Sequence, residues 1–198
     1  MRRPHDAPDA VGPERAGRKL DCSRALPLPD SSPAATSIAD RFAAVRARID
    51  AAARAAGRRP EDVQLLVATK TQDAAAVREV IAAGATLVGE NRVQELVAKA
   101  PDLADLVAGG RVRVHMIGHL QRNKVNQVLA TATGVETVDS LALAEALASR
   151  SAREGRALDV MVQVNVSGEE SKAGIRPDDA APSPARSPSW RVFASRGS

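Results

Sequence analysis

Between residues 63 and 166 the chain alternates two spacings of apolar residues, and this alternation restricts the fold more than any other feature. Strand-like runs stand at 63–68, 86–88, 112–117, 135–138 and 158–166, the last being the longest. Between them apolar residues recur at three- and four-residue steps, the spacing of a helix that buries one face. Those steps predict helices over 73–83, 92–99, around 124–129 and 140–154. Val93, Leu96 and Val97 face inward on the helix at 92–99, with Asn91 and Gln94 as its caps. Leu141, Ala144, Leu147 and Ala148 share one face of the helix at 140–154. One further helix precedes the first strand. Ser37 and Asp40 form a capping-box pair at its start, Ile38, Phe42, Val45, Ile49, Ala53 and Ala56 make its stripe, and Gly57 ends it.

Strands separated by helices imply a parallel sheet joined by right-handed crossovers. A doubly wound sheet and a TIM-type barrel both satisfy that pattern. No Gly-x-Gly-x-x-Gly turn follows the first strand, which weighs against a dinucleotide-binding sheet. Polar residues instead collect after every strand: Lys70, then Glu90-Asn91-Arg92, His119-Leu120-Gln121, Asp139-Ser140, and Asn165 with Ser167. A barrel gathers such strand ends around one mouth, where enzymes of this shape work. The reading is therefore α/β, a partial TIM (β/α) barrel with about five of the eight βα units that close one.

Aromatic residues make up 2% of the chain and Tyr is absent, so the core is built from Ala, Val, Leu and Ile. The single cysteine, Cys22, excludes an internal disulfide and a cysteine-based metal cluster, and fits a reducing compartment. No apolar run reaches the ~18 residues of a membrane span, and no apolar stretch follows the basic N-terminus as in a secretory signal. No membrane association and a cytoplasmic location are expected. The formal charge of +4 invites a nucleic-acid reading, but residues 37–181 carry 19 charges of each sign. The excess lies in the two ends, whereas nucleic-acid binding needs a concentrated basic face and, for single strands, aromatic platforms. No nucleic-acid partner is expected. Residues 1–36, rich in Pro, Asp, Arg and Ser, read as a disordered leader, 37–179 as the partial barrel, and 180–198, with its Pro-Ser-Pro pattern, as a disordered tail.

Lys70 stands at the end of the first strand, between Thr69 and Thr71. At an apolar barrel mouth its ammonium would be partly desolvated, which favours the neutral amine that attacks an aldehyde to form a Schiff base. Asn91 and Arg92 serve equally as helix cap and exposed cation. His115 and His119 are four apart across a strand-to-loop turn, which is not metal spacing, and His115 reads as a packed strand residue. Lys124 and Asn126 read as surface residues of a helix start, and Glu169-Glu170-Ser171-Lys172 as a polar loop.

Five segments stand in order: Val67-Ala68-Thr69-Lys70-Thr71, Gly89-Glu90-Asn91-Arg92-Val93-Gln94-Glu95, His115 through Val125 with its Ile-Gly-His-Leu-Gln core, Val138-Asp139-Ser140, and Gln163 through Gly174. Together they resemble the pyridoxal phosphate homeostasis protein family, also called the proline-synthase co-transcribed family, over residues 37–179. The resemblance implies a barrel of the alanine-racemase N-terminal-domain type with pyridoxal 5'-phosphate held as a Schiff base on Lys70. It implies a cofactor mouth lined by Asn91, Arg92, His119 and Asn165. It also implies a carrier or regulator of vitamin B6 and amino-acid pools, with no catalytic residue and no metal assigned. Amino or keto acids are the further small-molecule partners expected.

Family members continue with three more βα units, including a Ser/Gly-rich and an Arg-Ile-Gly segment that hold the cofactor phosphate, and neither matches here. The chain is thus expected to be truncated or frameshifted beyond residue 179, poorly soluble, and to keep the covalent anchor without the phosphate grip. A racemase- or lyase-like enzyme and a non-functional fragment remain as alternative readings, although the related racemases use a tyrosine that this chain lacks.

Overall fold

Ser37 Oγ accepts a hydrogen bond from Asp40 N (3.1 Å) and the Asp40 carboxylate accepts one from Ser37 N (3.2 Å), so the expected capping box opens helix α1, Ile38–Ala55. The structure, a computed structural model, describes residues 37–180. The readings of 1–36 as a leader, of Cys22, and of 181–198 as a tail lie outside the described residues. After α1 come β1 (Val67–Ala68), α2 (Ala74–Ala82), β2 (Leu87–Glu90), α3 (Val93–Ala108) and β3 (Arg113–Met116). They are followed by α4 (Val125–Leu129), β4 (Gly134–Val138), α5 (Leu141–Glu154), β5 (Asp159–Val162) and α6 (Pro177–Ala180). Pro177 opens α6, where its missing N–H costs nothing.

All five strands pair in parallel and in sequence order, β1-β2-β3-β4-β5. A doubly wound sheet reverses its order and sends helices to both faces, whereas sequential right-handed crossovers send them all to one. The core follows the second pattern. Val77 of α2, Leu96 and Leu103 of α3, Val128 of α4 and Leu147 of α5 share one buried cluster with Val88, Val114, Met116 and Val135 of the strands. The fold is α/β with a parallel five-stranded sheet, as in a partial barrel. Among the described residues no helix is long and apolar enough to cross a membrane.

Side chains alternate across a strand, so the residues between those core positions face the other way. That second face is mixed: Leu66 and Ile117 flank Gly89, Met161 is exposed, and polar pairs lie among them. Arg113 reaches Asp159 (2.8 Å) and Gln64 (2.9 Å), and His115 Nδ1 lies 2.8 Å from Glu136 Oε1. His115 is the packed strand residue expected, 3% exposed, its ring lying over Gly134, where a Cβ would come within 2.5 Å of Nε2.

Several expected boundaries move, each for a tertiary reason. The run 63–68 shortens to Val67–Ala68 because Arg46 of α1 donates to the carbonyls of Pro60 (3.0 Å) and Val63 (2.9 Å) and holds the chain turned there. The strand expected at 86–88 instead spans Leu87–Glu90, paired through Glu90 to β3. The run 158–166 is not the longest strand. It leaves the sheet after Val162, when Gln163 O and Asn165 N bond to Ile175 instead. Helix α3 does not stop at residue 99 but runs through Pro101 to Ala108. Burying Leu103 and Leu106 contributes about 1.5–3 kcal/mol each, which offsets the ~3 kcal/mol cost of an interior proline. On the same helix Val97 faces solvent at 45% exposure, and on α5 Leu143 replaces Leu141 and Ala148 as the buried position.

Helices α2 and α3 are tied by Arg78, whose guanidinium bonds both Asp105 oxygens (2.7 and 3.0 Å) and the Asp102 carbonyl (2.6 Å). That hydrogen bonding holds the Asp105 carboxyl below its ordinary value. A depressed carboxyl contributes stability that is present above its unfolded pKa and lost as pH falls through the folded one. The destabilisation caused by Arg78→Met should therefore be present at pH 7 and shrink as pH falls below about 4, read from urea midpoints across a pH series. Both groups are exposed, so the effect is small. A larger difference separates the two sides of α3: Leu96→Ala should lower unfolding stability by roughly 2–5 kcal/mol. Val97→Ala should stay within about 0.5 kcal/mol.

Candidate functional site

A parallel sheet delivers every strand's carboxyl end to the same edge. Lys70 follows β1, Asn91 and Arg92 follow β2, His119 follows β3, Asp139 follows β4 and Asn165 follows β5. Neighbouring strands stand about 4.8 Å apart, so Lys70 and Asn91 are adjacent, while Asn165 belongs to a strand four steps away.

The exits of β2 and β3 touch. A Cβ on Gly118 would lie 2.0 Å from the carbonyl oxygen of Asn91, so no side chain fits at that position. The Gly118 carbonyl in turn accepts the Thr137 hydroxyl of β4 (2.7 Å), which fixes the loop bearing His119. His119 Nδ1 lies 3.1 Å from Asp139 Oδ2, linking the exits of β3 and β4. Asn165 is used differently: its amide nitrogen donates to Glu169 O and Lys172 O, and its Oδ1 accepts from Gly168 N and the Ser167 hydroxyl. It organises the 165–172 loop, which is polar as expected.

Around Lys70 the backbone is clamped while the side chain is free. Thr69 is 2% exposed, its N–H bonded to Gly89 O (2.9 Å) and its hydroxyl to Glu90 Oε1 (2.6 Å). Its carbonyl accepts from Lys99 Nζ at 2.9 Å, and the same ammonium lies 2.8 Å from Glu90 Oε1. On the other side Thr71 N–H donates to Glu95 Oε2 (2.9 Å). Thr71 has a φ of 66°, the left-handed region, which costs a residue bearing a Cβ roughly 1–2 kcal/mol. Lys70 itself is exposed, so the desolvation expected of it is not realised. Among the described residues, Lys99 and Lys172 are ion-paired and Lys70 is not.

Helix α3 starts without the expected caps. Its N-cap position is Arg92, with no side-chain hydrogen bond, and neither Asn91 nor Gln94 fills the role. Glu95 occupies the first turn, where the helix dipole favours a carboxylate. Lys99 and Glu95 were not among the expected site residues. The available signal was Lys99 three residues after Leu96, a charge on the buried stripe, and lysine is almost never buried unless paired. Among the described residues no group of three or more His, Cys, Asp or Glu is placed to hold a metal ion. A groove of about 360 Å³ lined by Phe42, Arg46, Val63 and Thr86 lies at the opposite, amino end of the strands, away from these groups.

Residues 41–186 match the model of the family described as alanine racemase, N-terminal domain. A Pseudomonas aeruginosa protein named pyridoxal phosphate homeostasis protein is 44% identical over 144 residues, which cover 73% of this chain and 61% of that relative. A human protein of the same name is 40% identical over 145 residues, covering 69% and 53%. The chain thus spans a little over half the length of these curated relatives. Among solved structures, a Bifidobacterium adolescentis protein titled as unknown is 42% identical with a TM-score of 0.66, over 72% of this chain and 60% of that one. PipY of Synechococcus elongatus, solved with PLP bound, is 35% identical with a TM-score of 0.58 over the same shares.

The contact at Gly118 yields a direct test. Gly118→Ala should destabilise the protein by at least about 1–3 kcal/mol in denaturant unfolding, because the new Cβ meets backbone rather than a movable side chain. An unchanged midpoint would mean that the two strand exits are not in contact.

Proposed function

Because the chain belongs to the alanine racemase N-terminal domain family, we propose that it is a pyridoxal 5'-phosphate-binding protein of vitamin B6 and amino-acid homeostasis, with Lys70 as the covalent anchor. One observation carries the reading: an exposed, unpaired amine stands at the carboxyl end of β1, on a backbone triplet fixed on both sides. The relatives named for pyridoxal phosphate homeostasis and the PLP-bound PipY support the choice of ligand.

The residues present fit the aldehyde of the cofactor. Condensation needs an amine that reaches solvent and is not tied to a carboxylate, and Lys70 meets both conditions while the buried Lys99 meets neither. When bound, the cofactor supplies an aldehyde for amines and an electron sink. Asn91, Arg92 and His119 share the strand-exit edge with Lys70 and are the proposed flanking contacts. Arg92 is an exposed cation beside the uncapped first turn of α3, a setting suited to an anionic group. Asn165 is proposed to shape the far side of the mouth through its loop. Amino or keto acids are the proposed exchange partners, and the cytoplasm the proposed location, in keeping with a sequence that has one cysteine.

The test is spectroscopic. Purified protein mixed with pyridoxal phosphate should develop the visible band of a lysine-linked cofactor, and borohydride reduction should fix the adduct on the peptide containing Lys70. Lys70→Ala should abolish both while leaving the circular dichroism unchanged. A band of wild-type intensity in Lys70→Ala would place the cofactor elsewhere. Proton exchange on free amino acids above the Lys70→Ala background would favour the enzyme reading instead.

A further inference from the structure

The Glu90–Lys99 pair is the only ion pair among the described residues with both side chains at 10% exposure or less, and cofactor contact by Lys70 does not require it. Its placement is informative. Lys99 spends its ammonium on Glu90 and on the carbonyl of Thr69, the residue immediately before Lys70. Glu90 accepts the Thr69 hydroxyl on the same oxygen, while Glu90 Oε2 is buried with no partner among the described residues. One turn earlier on the helix, Glu95 takes the N–H of Thr71, the residue immediately after Lys70, and holds it at a positive φ that a threonine does not adopt unaided. Helix α3 and strand β2 therefore grip the chain on both sides of Lys70, and none of these hydrogen bonds involves its side chain.

We propose that Glu90, Lys99 and Glu95 are positioning residues that aim the Lys70 amine, resting on the reading of Lys70 as the cofactor anchor. Attachment requires the lone pair of the neutral Nζ amine to bond the aldehyde carbon and the carbonyl oxygen to leave as water carrying the amine's two protons, with no oxidant or reductant involved. A lysine on a fixed backbone reaches that geometry without first giving up main-chain freedom. Releasing one residue costs on the order of tenfold in the equilibrium, since fixing a backbone takes about that much free energy. The unpaired oxygen of Glu90 and the strained Thr71 fit this role: both are costs to folding that lie next to the anchor and nowhere else in the sheet edge described above.

The experiment uses the full chain and titrates pyridoxal phosphate, reading the visible band at equilibrium and the rate at which it disappears on dilution. Glu95→Ala, which removes the acceptor for the Thr71 N–H together with the looser 3.9 Å pairings to Arg92 and Lys99, should raise the half-saturating concentration roughly three- to tenfold and speed release. Glu95→Gln, which keeps an acceptor for the Thr71 N–H, should restore the wild-type value. Lys99→Met should raise half-saturation by tenfold or more, and the paired change Glu90→Gln with Lys99→Met covers the case in which the single buried change does not fold. Circular dichroism of each variant separates unfolding from misplacement. Folded Glu95→Ala and doubly changed proteins that titrate as wild type overturn the proposal. A wild type with no band, or a band that survives Lys70→Ala, overturns the anchor reading and this one with it.

Discussion

Pairing five parallel strands in the order in which they occur forces two asymmetries on this protein. Every crossover helix must return on the same side, so one face of the sheet is apolar and covered, and the other carries the polar pairs of Arg113, His115, Glu136 and Asp159 beside Leu66, Ile117 and Met161. Every strand must also end at the same edge, so loops from distant parts of the sequence become neighbours there. Stability and chemistry are thereby placed on different parts of the same strands. Val88 lies in the core cluster with residues of α2 and α3, and two residues on from it Glu90 already serves the loop that carries Lys70.

The buried Glu90–Lys99 pair is costly by the usual measure. Removing an ion from water costs several kcal/mol even after relaxation, and apolar replacements of such pairs are often neutral or stabilising. The pair is offset here by hydrogen bonds that are not interchangeable: the ammonium needs the Thr69 carbonyl, and the carboxylate needs the Thr69 hydroxyl. An apolar pair of the same volume could fill the space but could not orient Thr69. A geometric duty next to Lys70 accounts for these charges better than stability does.

Much of this was legible in the sequence, and the exceptions share a cause. Periodicity places all five strands, and local chemistry places Ser37 and Asp40, because both features act within a few residues. Polar residues after each strand foretell the common edge, since parallel topology alone brings them together. What periodicity missed was decided by partners distant in sequence. Arg46 turns residues 60–63 away from an extended path, Ile175 takes the Gln163 carbonyl and the Asn165 N–H beyond the end of β5, and the core holds α3 helical through Pro101. Lys99 was hidden by its type, because a lysine on an apolar stripe reads as a break in the pattern unless its acid is already known.

The polar groups along the strand-exit edge are not equivalent. Asn165 has spent both ends of its amide on its own loop, and His119 leans on Asp139, whose carboxylate is largely buried. Lys70, Asn91 and Arg92 are all exposed on the two neighbouring exits of β1 and β2. Along this edge, among the described residues, only that end carries backbone strain, at Thr71, and only there is the backbone gripped from a helix by charged side chains. A ligand held by all five exits equally would call for comparable order at each. With Lys70 as the proposed anchor, covalent capture would fall at the β1–β2 end, and the β4–β5 end would set the shape of the opening.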